Sequence, residues 1–182
     1  MSVLKEVTKY TRAALEGRLF FSYCAARATS IPATAQIGNI VWNPPGSGVN
    51  LVMLKWNAQV EVESATTLGI TFGVSEQATR PTTPTVADVA GCTFLNPPTF
   101  TKGMAEAFAI GTIVTAPSPV FLCGHNTATI AITGADDQLD GDFEGMFIIP
   151  PGNVAALSAI TAAVAAAGMT STLVWEESPV GS

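Results

Sequence analysis

The sequence predicts an all-β fold: an antiparallel jelly-roll sandwich of about eight strands led by an N-terminal helical arm. Three observations predict it. From Gln36 onward apolar and polar residues alternate with a period of two; the alternating runs are short and are separated by clusters of Pro, Gly, Asn and Thr; and a helical period is convincing only at the start of the chain.

At the start, Leu4, Val7, Thr11, Ala14 and Leu15 recur at spacings of three and four, with Lys5, Glu6, Lys9 and Arg12 between them. That is the pattern of an amphipathic helix, and Gly17 is placed to stop it. Leu19 to Tyr23 is aromatic and extended in character, and Thr29 to Ala35, with Pro32, reads as a linker. Residues 1–35 are therefore expected to be an arm and linker, and residues 36–182 the β-sandwich. Two readings of the helix stay open: an arm reaching a neighbour, or a helix packed on its own domain.

In the body, Ile37 to Trp42 is a short strand closed by Asn43-Pro44-Pro45-Gly46-Ser47-Gly48. Val52, Leu54, Trp56, Ala58, Val60 and Val62 then alternate with Lys55, Asn57, Gln59, Glu61 and Glu63, so one face is core and the other wet. Leu68, Ile70, Phe72 and Val74 follow after a Ser64-Ala65-Thr66 break, and the two segments read as an antiparallel hairpin. Glu76 to Asp88 holds no period and reads as a long surface loop. Further strands are expected around Phe108 to Val114, Pro119 to Cys123, Ala128 to Ile132 and, after an acidic loop from Ala135 to Asp142, Phe143 to Ile149. Pro150-Pro151-Gly152 turns the chain into Val154 to Ile160. Thr161 to Gly168 is rich enough in Ala for a short helix or a close-packed loop, and Ser171 to Glu177 closes the domain. Many short strands with turn signals and one helix favour a sandwich over a parallel α/β arrangement.

Charge is scarce and unevenly spread. Five of the eight basic residues, Lys5, Lys9, Arg12, Arg18 and Arg27, lie in the first 27 positions, where they face only Glu6 and Glu16. Charged residues are 12% of the chain, about half the usual share, while 48% are hydrophobic. So poor a supply of surface charge predicts that part of the surface is covered by other subunits of a homo-oligomer. The acidic body argues against a broad nucleic-acid face, because phosphate contacts need clustered Lys and Arg. The basic arm is expected to meet another protein first and nucleic acid second. Charges through the first residues interrupt any secretory apolar region, so synthesis in the cytoplasm is expected. The apolar run from Val154 to Met169 is short for a bilayer span, and no membrane partner is expected.

Groups able to carry chemistry are few. His125 is the only histidine, in Cys123-Gly124-His125-Asn126. A thiol beside an imidazole invites a nucleophile reading, but catalytic Cys and His converge from separate elements, and a turn histidine with local hydrogen bonds is the simpler role. Cys24, Cys92 and Cys123 match neither a zinc spacing nor a disulfide framework and read as small buried hydrophobes. Asp136, Asp140 and Asp142, with Gln138 and Gly141, partly follow the spacing of a calcium loop, but Phe147 stands where the bidentate Glu is required, so a solvated acidic hairpin loop is expected instead. Glu61 and Glu63 share a wet face and Glu176 and Glu177 point to opposite faces, so neither pair forms an acid/base site. Trp42, Trp56 and Trp175 could offer sugar platforms, although Trp56 sits on a core face. No cofactor, no metal and no enzymatic activity are expected.

Four stretches also look familiar as a set: Ala14-Leu15-Glu16-Gly17-Arg18, Gly38-Asn39-Ile40-Val41-Trp42-Asn43-Pro44, Phe147-Ile148-Ile149-Pro150-Pro151-Gly152 and Leu173-Val174-Trp175-Glu176-Glu177. Together they resemble structural proteins of tailed bacteriophages, of the small jelly-roll decoration or cement type. The resemblance implies a virion protein, assembled in the host cytoplasm, that sits on the capsid as a dimer or trimer and bridges subunits of the major capsid protein or another virion protein. It transfers no catalytic site, and it extends to head-fibre and tail components with an adhesive or carbohydrate-binding role. In this reading Lys5, Lys9, Arg12 and Arg18 line the arm's contact with the shell or an adjacent copy.

Overall fold

A computed structural model describes residues 9–27, 33–60, 68–82, 92–95, 103–126, 138–159 and 168–181. Over these residues the chain is mostly β, in two antiparallel sheets. One short helix, α1 (Lys9–Leu15), precedes β1 (Leu19–Arg27), β2 (Ala35–Asn43), β3 (Val49–Val60) and β4 (Leu68–Glu76). There follow β5 (Cys92–Leu95), β6 (Glu106–Thr112), β7 (Ser118–Asn126), β8 (Gln138–Asp142), β9 (Ile148–Ile149), β10 (Asn153–Ala159) and β11 (Gly168–Pro179). The first sheet runs β5-β1-β11-β3-β8, with β9 also on β3, and the second runs β6-β2-β10-β4-β7.

Strand alternation decides what lies between the sheets. The first sheet sends in Phe20, Leu51, Met53, Trp56, Leu173 and Trp175, and the second sends in Val41, Ile70, Phe72, Ala155 and Leu157. Phe72, Phe121, Phe143 and Phe147 form an aromatic knot at tilted and edge-on angles, with ring centroids 4.7 to 5.8 Å apart. Burying each such side chain contributes about 1.5–3 kcal/mol. The opposite faces of β2 and β10 are also dry: Ile40, Trp42, Val154 and Ala156 join Phe108 and Ile113 in a second cluster. The 77–82 segment closes over that side. Trp42 donates from Nε1 to the Gln77 carbonyl at 2.8 Å, and the Arg80 guanidinium sits 5.0 Å from the Phe108 ring centroid while pairing with Glu106. The second sheet therefore buries apolar side chains on both faces, which uses up part of the apolar excess that composition assigns to subunit contacts.

Several expectations are corrected. The hairpin of Val52–Val62 with Leu68–Val74 does not form, because β3 pairs with β11, β8 and β9, while β4 lies in the other sheet between β10 and β7. Alternation tells which residues face the core and is silent about which strand sits alongside. Within the arm and linker expected over residues 1–35, Leu19–Arg27 is instead a strand held between β5 and β11; residues 1–8 and 28–32 lie outside the described residues. The acidic loop is also partly strand: Gln138–Asp142 pairs along β3, and the turn comes later, at Phe143 to Phe147, where a strand is expected. The loop from Glu76 starts with a buried Gln77 and makes a bridge from Thr82 to Thr112. The strand expected at Ala128–Ile132 and the Ala-rich Thr161–Ala167 lie outside the described residues.

Candidate assembly interface

The C-terminal end of α1 is fixed by a built-in stop. Arg18 donates its backbone N–H to the Ala13 carbonyl and Gly17 donates to Ala14, while Gly17 takes φ 71°. This is the Schellman closure, in which glycine accepts the left-handed conformation without steric cost. The turn folds α1 back over the outer face of the first sheet.

Strand register maps that face. One row across the sheet is Leu19, Glu176, Val52, Ile148; the next is Phe21, Val174, Lys55, Asp142; the third is Tyr23, Thr172, Asn57, Asp140. Helix α1 leaves β1 and crosses the first two rows. Tyr10, at its far end, donates its hydroxyl to Asp142 Oδ2 at 2.5 Å on the edge strand β8. About 10 Å of helix plus a tyrosine side chain matches the roughly 14 Å from β1 to β8. At the near end Arg18 forms ion pairs with Glu16 and Glu176, and Arg12 pairs with Glu16 at 2.9 Å. Hydrogen bonds from Arg12 first and Arg18 second hold the Glu16 carboxyl below its usual range. Burial, followed by the hydrogen bond to Asp142, pushes the Tyr10 phenol well above its ordinary value.

The four basic residues of the expected arm thus divide. Lys5 lies outside the described residues, and Lys9 opens α1. Arg12 is 75% exposed and pairs with Glu16, one turn away. Arg18 is spent on the chain's own body. What sequence reasoning missed are the receptors: Glu176 and Asp142 anchor the two ends of the helix, and Tyr10 is an anchor rather than a neutral face residue. The signal for Glu176 was present, since alternation puts it on the opposite face from Glu177, and Glu177 is buried.

Two of the three calcium candidates are described, and each has a partner within the chain. Asp136 lies outside the described residues; Asp140 faces Lys55 at 3.9 Å; Asp142 accepts from Tyr10 and from the Glu144 backbone amide. Gly141, expected to serve a turn, pairs with Trp56 in the ladder, and a Cβ on it would lie 2.6 Å from the indole nitrogen. Among the described residues no three His, Cys, Asp or Glu side chains gather as a metal site, and no helix is long and apolar enough to cross a membrane. Cys24 is buried and donates from Sγ to the Gly38 carbonyl. Cys123 packs against the core, where burial pushes its thiol up to about 12 against a smaller opposing hydrogen bond with the Phe72 backbone. A thiol so protonated is a poor nucleophile at neutral pH. His125 belongs to β7, opposite Gly69.

The four stretches that carry the phage resemblance meet in two places. Arg18 accepts the Glu177 backbone N–H and pairs with Glu176, joining the first stretch to the last. The Asn43 side chain donates to the Ile149 carbonyl, and Gly152 donates to the Asn43 carbonyl, joining the second to the third. They are residues that close the sandwich. Comparison with protein-family models, with curated proteins and with solved structures finds no match to this chain.

Exposed apolar side chains complete the surface. Leu15 on α1, Met146 and Ile148 beside β9, and Val114, Val120 and Leu122 around β7 are all solvent-facing in the single chain.

Proposed function

We propose that the chain is a virion structural protein with a jelly-roll body, a capsid decoration or cement protein that stabilises the assembled head by bridging capsid subunits through its N-terminal segment and β-domain. The observation that carries the reading is the strand order. Taking β1-β11-β3-β8 against β2-β10-β4-β7 supports two interlocked Greek keys, with the first strand beside the last and four strands in each sheet. The extra β5 and β6 lie at the edges next to β1 and β2. Fold alone does not choose a function, so the resemblance of the four closing stretches and the exposed apolar residues on a charge-poor surface supply the rest. The physical mechanism is mass action: a protein that binds only the assembled lattice stabilises it.

The test is to add purified chain to tailed-phage heads stripped of accessory proteins, then to count bound copies and follow heat disruption. A fixed copy number per capsomer and a raised disruption temperature are expected. Heads that neither bind the chain nor gain stability would overturn the reading.

A second reading, a head-fibre or tail component with an adhesive role, is favoured by one feature. The row Tyr23, Thr172, Asn57 offers a partly exposed aromatic ring beside uncharged polar side chains, which suits a neutral sugar. Glycan-array binding by the full chain, lost in Tyr23→Ala, would select it.

A further inference from the structure

We infer that the chain associates with a second copy of itself through the outer face of its first sheet, α1 of each protomer seating against the turn between β8 and β9 of its partner.

Two exposed apolar groups share that face. On α1, Ala13 is buried and Tyr10 and Ala14 are half-buried, while Arg12 and Leu15 lie on the solvent side. Spaced three apart, these two are neighbours on the helix surface, and Leu15 is 77% exposed although it is apolar. Across the sheet, Met146 and Ile148 are 64% and 57% exposed. Ile148 ends the row that begins at Leu19 and runs through Glu176 and Val52, three strand spacings or about 14 Å away.

The turn that carries Met146 is held from below. Phe143 and Phe147 belong to the aromatic knot, Gly145 donates its N–H to the Met53 carbonyl at 3.0 Å, and Glu144 donates to Asp142 Oδ1 at 2.8 Å. Glu144 takes φ 51°, a left-handed conformation uncommon for a residue with a side chain. Side chains fixed before association lose less freedom on docking.

Charge selects a second copy as the occupant. Among the described residues no cation pairs with Glu144. Exposed Met and Ile beside an unmatched carboxylate fit an apolar surface beside a cation, and α1 presents that combination as Leu15 with Arg12. Arg12 can be released cheaply, because its partner Glu16 is also paired with Arg18. A twofold axis over the middle of the row sets Leu15 against the partner's Met146 and Ile148, and Arg12 against the partner's Glu144. Each contact then occurs twice, as an isologous interface requires. A net charge of −6 on each chain opposes association elsewhere, so contact falls where opposite charges meet.

Sedimentation equilibrium on the full chain tests the pairing. At about 100 μM, above the weakest dissociation constant expected of an interface of standard size, the chain should be a dimer. Leu15→Asp should weaken the dimer by about a hundredfold, since both copies carry the change at an apolar centre. Arg12→Glu and Glu144→Lys should each weaken it by about tenfold, and the double variant R12E/E144K should return to within about threefold of the unaltered chain. Only facing charges give that restoration, which a misfolded variant would not. A monomeric chain would overturn the inference. So would a dimer indifferent to Leu15→Asp, a double variant no tighter than the single ones, or a dimer broken instead by Leu122→Asp on the second sheet. No phage head enters the measurement, so a chain that fails to bind heads leaves the dimer standing, and a monomer leaves the proposed function standing.

Discussion

The Glu177 carboxylate grips the backbone amide of Met104 with both oxygens, at 2.8 and 3.0 Å. Its Oε1 also accepts from the next amide, Ala105, at 3.0 Å. Glu177 belongs to β11 in the middle of the first sheet, whereas Met104 and Ala105 lead into β6 at the edge of the second, so one buried side chain ties the two sheets together at an open corner. The approach is close enough to require Gly103, where a Cβ would lie 2.3 Å from Oε1.

Replacing that carboxylate should therefore be costly although it lies in no catalytic arrangement. Glu177→Gln keeps the shape but gives up the charge and one acceptor, and is expected to cost about 1–3 kcal/mol. Glu177→Ala strands two buried amides and should cost more. Urea unfolding measures both; midpoints equal to that of the unaltered chain would show that the corner is held by something else.

Gly141 offers a test that separates the strand from the acidic loop. In a solvated loop a methyl group at this position would be harmless. In β8, beside the Trp56 indole, it collides, and Gly141→Ala should cost about 1–3 kcal/mol by overpacking. Asp140→Ala, one residue away and exposed, should stay within about 0.5 kcal/mol. Equal melting temperatures for the two variants would contradict the register of β8 on β3.

These residues also show where reading the sequence succeeds and where it stops. The core faces were legible in part: the alternation put Trp56 and Ala58 inside, and both are buried. It also put Val52 inside, whereas the register shift on β11 between Val174 and Trp175 leaves Leu51 and Met53 in the core and Val52 on the outer row. The alternation at Glu176-Glu177 separated the two carboxylates correctly. Partners were not legible, because antiparallel pairing here joins strands far apart in the chain. Leu19 pairs with Glu176, and no local pattern encodes that. Asp140 and Asp142 looked like loop ligands because a five-residue edge strand alternating exposed and half-buried carries too few apolar residues to announce itself. The N-terminal helix was half legible: periodicity gave a helix and Gly17 its end, but Tyr10 has a sequence neighbourhood that says nothing of Asp142, 132 residues away.

Asn43 is a second buried polar anchor with a definite expectation. Its amide donates to the carbonyls of Val49 and Ile149 at 2.8 and 2.9 Å, and its oxygen accepts from Ser47 Oγ at 2.7 Å. This fixes the β2–β3 turn against β9. Asn43→Ala leaves these groups unpaired and should cost about 2–4 kcal/mol, the sum of one to two unsatisfied buried groups. Asn43→Asp keeps the acceptor but places a carboxylate against two carbonyls, so it should be as damaging at neutral pH and milder below about pH 4, where the acid is protonated. Thermal melts at pH 3.5 and 7, each referred to the unaltered chain, distinguish the two effects.

Cys123 gives a pH dependence whose sign follows from its burial. Its thiol stands at about 12 in the folded chain against an ordinary 9.0. Below pH 9 the folded and unfolded states both keep the proton, and the contribution to stability is constant and fully present. Between 9 and about 12 the unfolded state releases the proton while the folded state retains it, so stability falls as pH rises, by linkage. Tyr10, whose phenol is also raised, adds a loss in the same direction beginning near pH 10. The two separate by mutation: Cys123→Ala should flatten the fall in urea midpoint between pH 9 and 10, and Tyr10→Phe should flatten it only above 10. At pH 8 the folded Cys123 thiol should react with a disulfide reagent far more slowly than the same thiol in urea, since only the thiolate attacks. Equal rates in the two conditions would mean that the thiol is not held in the core.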